Sequence, residues 1–218
     1  MSLSGSMRLA VVSLTLVASS AGLMLPQRAH AQLSVQERAP LVQPRAQRAR
    51  AALRELGSGL YRVEADFAEA LGRAERHWRD GQADEAVLAL AALQKYGPLA
   101  ELPFIKAHLL LAAIADARHD RELRNHHQAF AVALVADITA SGDGARAASA
   151  LRLVLASEAE GWLLAQDGRL RPLGKRSVTT PGASFDVWRV RDTAGAEREV
   201  WFDLSVLLKT ARAPKKTS

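Results

Sequence analysis

Apolar residues along the first two thirds of the chain recur every three or four positions. Between Tyr61 and Gly81, residues Val63, Phe67, Ala70, Leu71, Ala74 and Trp78 fall on one stripe, which predicts a helix with a single buried face. In "ADEAVLALAALQKYG" a second stripe runs through Ala83, Ala86, Val87, Leu90 and Leu93, and Gly97-Pro98 stop it. Pro103 opens a third helix, "PFIKAHLLLAAIADAR". A polar break at Arg118-His119-Asp120 separates it from a fourth, "RELRNHHQAFAVALVADITA", which reaches Ser141. Short polar turns between consecutive helices predict stacked helical hairpins. The spacing of Trp78, Gly81, Glu85-Ala86-Val87 and Leu90 is like one tetratricopeptide unit, with no second copy at that period.

After Gly144 the period changes from helical to alternating. "ALRLVLAS" reads as a strand and "SEAEGWLLAQ" as a short helix, with Ser157 and Glu160 at capping-box spacing. "RLRPLGKRSVTT" reads as a further strand. "FDVWRVRDT" and "REVWFDLSVLL" alternate around the turn "AGAE" and predict a hairpin. In its second strand Val200, Phe202, Leu204 and Val206 share one face, while Trp201, Asp203 and Ser205 share the other. The fold class is therefore α+β: helical hairpins followed by a small antiparallel β-sheet with a short helix.

The two ends read differently. Arg8, the apolar run Leu9 to Leu25 and the small residues of Ala29-His30-Ala31 form the three-part pattern of a secretory signal peptide cut before Gln32. No later apolar run is long enough to cross a bilayer. Residues 32–50 hold Pro40 and Pro44 without sustained periodicity and read as a linker. The expected organisation is a signal peptide over 1–31, a linker over 32–50, helical hairpins over 51–141, an α+β sheet region over 142–208 and a disordered basic tail over 209–218. The expected location is periplasmic or secreted, in a bacterium.

Composition sharpens this picture in two ways. There is no cysteine, so an exported chain must stand on its apolar core without disulfides. The formal net charge of +6 is carried by the ends. Residues 55–208 hold 18 Lys and Arg against 22 Asp and Glu. Nucleic-acid binding wants a basic face on a fold, and here the folded part is mildly acidic.

Candidate chemistry is sparse. The tetrapeptide Ser141-Gly142-Asp143-Gly144 follows a helix, so Gly142 is expected to end that helix with positive φ and Asp143-Gly144 to form a turn. A phosphate loop would precede a helix. At this carboxyl end the complementary ligand is a cation held by Asp143. His108 and His127 can face each other across the third and fourth helices, and His119, Glu122 and His126 would share a face if all three were helical. Asp186 and Asp203 lie on adjacent strands near Trp188 and Trp201, a pairing that could serve glycoside chemistry. Together with Trp162 these tryptophans could offer a sugar-stacking surface. The sequence has no G-x-S-x-G or H-E-x-x-H motif and nothing that marks a cofactor.

The run from Ser141-Gly142-Asp143-Gly144 through "SALRLVLASEAEGW" to "FDVWRVRDTAGAEREVWFDLS" resembles a family of uncharacterised bacterial secreted proteins, a domain of unknown function. That resemblance covers roughly residues 80–208, rests chiefly on Ser141 to Gly144, Phe185-Asp186 and Trp201-Phe202-Asp203, and also touches His108 and His127. The interrupted acidic run Glu158-Ala159-Glu160 departs from the family pattern. The resemblance implies export and a two-part architecture, and it brings no reaction or ligand. The functional expectation is an envelope binding or scaffold protein with a protein or peptide partner and no metal or cofactor. The alternatives are an envelope-polymer hydrolase using sheet acids and hairpin histidines, and a metal-dependent structural module.

Overall fold

The structure, a computed structural model, describes residues 34–211. The expected signal peptide and residues 212–218 of the basic tail lie outside that range. Seven helices and four strands are described: α1 (Val35–Glu55), α2 (Leu60–Arg79), α3 (Ala83–Ala91), α4 (Ile105–Ala117), α5 (Arg121–Thr139), β1 (Leu151–Arg152), α6 (Ser157–Leu164), β2 (Leu170–Thr180), β3 (Ala183–Asp192), β4 (Glu197–Asp203) and α7 (Ser205–Ala211). The class is α+β. No described helix is long and apolar enough to cross a membrane.

The main departure from expectation is α1. Residues 35–50 are helical, not a linker. Ser34 and Glu37 close a full capping box at its start, with the Ser34 N–H donating to Glu37 at 2.7 Å. Pro40 and Pro44 sit inside the helix, where each costs up to about 3 kcal/mol in a helix interior. Tertiary packing outweighs that cost. Val42, Ala46 and Leu53 are buried, and so is Arg50, which is 1% exposed. The Arg50 guanidinium meets both carboxylate oxygens of Glu158 on α6, at 2.8 and 3.1 Å, and the Arg152 carbonyl of β1 at 3.1 Å. Its third nitrogen, Nη1, pairs with Asp137 on α5. Burial works against the charge, but Glu158 and Asp137 outweigh it and leave the guanidinium's pKa above its ordinary value. A second pair, Arg38 to Glu122 at 2.8 Å, ties the other end of α1 to the start of α5, so the two helices run parallel.

Helices α2 with α3 and α4 with α5 form the two expected hairpins. Phe67 of α2 stacks on Phe104, just before α4, with ring centroids 4.3 Å apart. A second core cluster joins α5, α6 and the inner face of the sheet, where Trp162 meets Phe202 edge to face at 5.7 Å.

The sheet order is β1-β4-β3-β2. Strands β2, β3 and β4 are antiparallel, as expected, but β1 adds a two-residue parallel edge with Leu151 opposite Phe202, so the sheet is mixed. The rest of "ALRLVLAS" turns into the core, where Leu153, Val154 and Leu155 are at most 1% exposed. The cap of α6 is also different. Glu158, rather than a Ser157–Glu160 box, accepts the Val154 N–H at 2.7 Å. Strand β4 stops at Asp203, whose carboxylate accepts the Ser205 N–H at 2.8 Å and starts α7. Val206 therefore does not continue the strand, and the first three residues of the expected tail are helical.

Breaking the Arg50 cluster leaves a buried charge without its partner, which costs about 3–5 kcal/mol. Arg50→Ala and Glu158→Ala are each expected to lower stability by about that much, read as a shift in the urea midpoint. A loss below about 1 kcal/mol, the scale of an exposed pair, would show that the cluster does not hold α1.

Candidate functional site

The Ser-Gly-Asp-Gly segment is a joint. Helix α5 ends at Thr139, before the expected Ser141. Ser141 Oγ donates to the Ile138 carbonyl at 2.6 Å and accepts the Arg152 N–H at 2.8 Å. Gly142 does not have the expected positive φ; that belongs to Gly144, at +70°. Space is what demands glycine at 142, because a Cβ there would lie 2.3 Å from the Ser149 carbonyl oxygen. Asp143 accepts the Ala145 N–H at 2.8 Å and the Ser149 hydroxyl at 2.5 Å. The Ser149 hydroxyl, then the Ala145 amide, hold its carboxyl below the usual range. The Gly144 carbonyl accepts the Trp201 N–H at 2.8 Å. Both Asp143 contacts lie within the loop itself, and the segment stitches α5 to the edge of the sheet.

The two sheet acids do not pair. Asp186 stands opposite Phe202 and Asp203 opposite Phe185. Cross-strand partners share a face and neighbours along a strand do not, so Asp186 and Asp203 project from opposite faces. Asp186 is buried and accepts from the Ser177 hydroxyl at 2.8 Å and Lys175 at 3.1 Å. Trp188 and Trp201 are separated by the same register, and Trp162 is buried in the core. The candidate glycoside pair and tryptophan surface are not formed.

The histidines do meet. His108 of α4 and His127 of α5, 1% and 3% exposed, approach at 2.9 Å between their Nδ1 atoms. His108 Nε2 lies 2.7 Å from the Leu102 carbonyl oxygen. A carbonyl only accepts, so His108 carries its proton on Nε2 and its Nδ1 accepts from the Nδ1–H of His127. Burial, with His127 adding to it, drives the His108 pKa down to about 3. Burial and then His126 bring His127 down to about 4. A proton added to His108 would go on Nδ1 and set two N–H groups against each other. His126, half-buried, places Nε2 3.2 Å from the Ala100 carbonyl oxygen. These histidines thus hold the segment between α3 and α4 by its backbone. His119 lies in the α4–α5 turn with φ +59°, so it shares no helix face with Glu122 and His126. No group of three or more His, Asp or Glu able to hold a metal occurs among the described residues.

The other side of the pinned segment faces α1 across an open groove of about 480 Å³. Ala49, Ala52 and Leu53 of α1, with Leu56 just after it, form one wall, and Tyr96, Pro98 and Leu102 line the other. Leu53 and Leu102 are buried at its floor, while Leu56 is 45% exposed. Arg45 pairs with Glu101 at 3.0 Å and Lys95 with Asp66 at 2.5 Å. Arg48 is exposed on the groove and has no bonded partner among the described residues. Sequence reasoning missed this site because it placed residues 45–50 in a linker; the recurrence of Arg45, Arg48, Ala49, Ala52 and Leu56 at helical spacing was the available signal.

Comparisons with models of known protein families, with curated proteins and with solved structures find no match.

The buried histidines make stability fall in acid. Unfolded, both titrate near 6.5; folded, they titrate at about 3 and about 4. Their contribution is complete above pH 6.5 and is lost as pH falls through the folded values. Glu64 of α2 runs the other way. Burial raises its carboxyl above 4.5, so its contribution is present below 4.5 and lost as pH rises through the folded value. Between pH 7.5 and 5 the histidine effect is about 2 kcal/mol each, measured by urea unfolding. The double variant His108→Leu/His127→Leu is expected to flatten that slope. An unchanged slope would show that the pair is not its source.

Proposed function

We propose that the chain is a non-catalytic binding or scaffold module of the bacterial envelope. The observation that carries this reading is the open groove between α1 and the histidine-pinned segment. Its size falls in the range of ligand pockets, about 300–1,000 Å³, and its walls are mainly apolar. The placement of the titratable groups supports the same reading. An acid–base pair must share hydrogen-bond reach of one reacting atom. Here His108 and His127 bond to each other and to Leu102, Asp143 bonds to Ser149, and Asp186 and Asp203 point to opposite faces. Export rests on the pattern of Arg8, Leu9 to Leu25 and Ala29 to Ala31, as does the resemblance to secreted proteins on Ser141 to Gly144 and the β3–β4 hairpin.

A photoreactive residue placed at Ala52 in the groove is expected to give one discrete adduct in the producing cell. The same residue at exposed Glu85 on α3 is expected to give none. The protein carrying the adduct is expected in the envelope or medium with Gln32 as its first residue, read by mass spectrometry. Equal labelling at both positions, or an intact residue 1–31 segment on cytoplasmic protein, would overturn the reading.

A further inference from the structure

The charges around the groove decide what can occupy it. Three cations reach it, Arg45, Arg48 and Lys95, against one lining acid, Glu101. Arg45 and Lys95 are each matched by a carboxylate, Glu101 and Asp66. Arg48 is not matched among the described residues. A guanidinium at the edge of an apolar groove favours a carboxylate, which it can grip with two parallel hydrogen bonds. Residues 1–33 and 212–218 supply no carboxylate side chain. Residues 1–33 contain Arg8 and Arg28 and no acid, and residues 212–218 contain Arg212, Lys215 and Lys216 and no acid. Like charge therefore disfavours both ends as occupants.

The apolar walls set the second requirement. Ala49 and Ala52 present small side chains beside Leu56, so the α1 wall leaves room for an apolar side chain above the buried Leu53 and Leu102. A groove of about 480 Å³ takes a short segment rather than a folded surface. Pro98 and Pro103 offer no N–H to a peptide backbone, so binding depends on side chains and on the carboxylate rather than on strand addition.

We infer that the groove binds a short apolar peptide segment bearing a carboxylate, with Arg48 gripping the carboxylate and Leu53, Leu56 and Leu102 receiving the adjacent apolar side chain. This rests on the binding-module reading and names the ligand class of the same site.

The test is selection of phage-displayed random 12-residue peptides on the chain from Gln32 to Ser218. Enriched peptides are expected to share an Asp or Glu beside an apolar residue. Synthetic copies are expected to bind at least tenfold more weakly to Arg48→Glu and to Ala52→Arg, both exposed positions, and to weaken as salt is raised. Circular dichroism and the urea midpoint of both variants are expected to match the parent. Peptides whose binding survives both substitutions, or that are basic, would overturn this inference while leaving a binding module elsewhere on the surface. A self-associating chain that becomes monomeric on Arg48→Glu would make a second copy the occupant and overturn it as well. Failure to enrich any peptide would overturn both the inference and the reading beneath it.

Discussion

The buried guanidinium of Arg50 is the interaction on which the architecture turns. It joins four elements distant in sequence: α1, α5, β1 and α6. An isolated charge in that position would be costly, so its partners must be in place together. Glu158 does more than neutralise. It also accepts the Val154 and Leu155 N–H groups, at 2.7 and 3.4 Å, and so shapes the descent from β1 into α6. One carboxylate thereby fixes α1 against α6 and shapes the chain leaving β1, while Asp137 ties the same guanidinium to α5. The helical front half and the sheet are therefore a single cooperative body, although the sequence changes period between them. The groove inherits its first wall from the same contact, since Arg48 and Ala49 immediately precede Arg50.

The sequence made the ordinary amphipathic elements readable. The stripe from Val63 to Ala74 is the buried face of α2, and the β3–β4 hairpin turns where "AGAE" said it would. Helix α1 was not readable by the same rule. Its buried face contains a cation and an alanine, and two prolines interrupt the local signal. The buried cation is unfavourable locally and is rescued by partners 108 and 87 residues away in sequence. A periodicity argument has no access to those partners. The strand expected at "ALRLVLAS" forms only over Leu151–Arg152, for a related reason. A fully apolar run fits a buried strand and a buried turn equally well, and Glu158 selected the turn.

At the candidate site, residue type was a good guide to proximity and a poor guide to role. His108 and His127 do face each other, as their helical positions implied. What the sequence could not give was depth. At 1% and 3% exposure they are framework, not surface. Asp186 and Asp203 show the complementary limit. Their strands are adjacent, but one residue of register sends their side chains to opposite faces. Gly142 and Gly144 show a third. Both are required glycines, yet crowding against Ser149 demands the first and backbone conformation the second.

The histidine pair also explains what shapes the groove. The segment from Leu99 to Pro103 is short, a single 3-10 turn over Leu99–Glu101 flanked by Pro98 and Pro103, and two histidines add to its own backbone hydrogen bonds. His108 holds the Leu102 carbonyl and His126 the Ala100 carbonyl from behind. Phe130 stacks on the His108 ring at 4.6 Å and keeps it aimed. Opposite that wall, α1 is anchored by Arg50. The groove is thus the gap between two elements each tied to α5, one by a buried ion pair and the other by buried neutral histidines. A cavity held from both sides in this way is preorganised, and a ligand that enters it loses little affinity to reordering the protein. The same arrangement gives acid a direct route to one wall of the groove. A proton on His108 sets its Nδ1–H against that of His127 and breaks the pair, and the backbone group held by the same ring is the carbonyl of Leu102 at the groove floor.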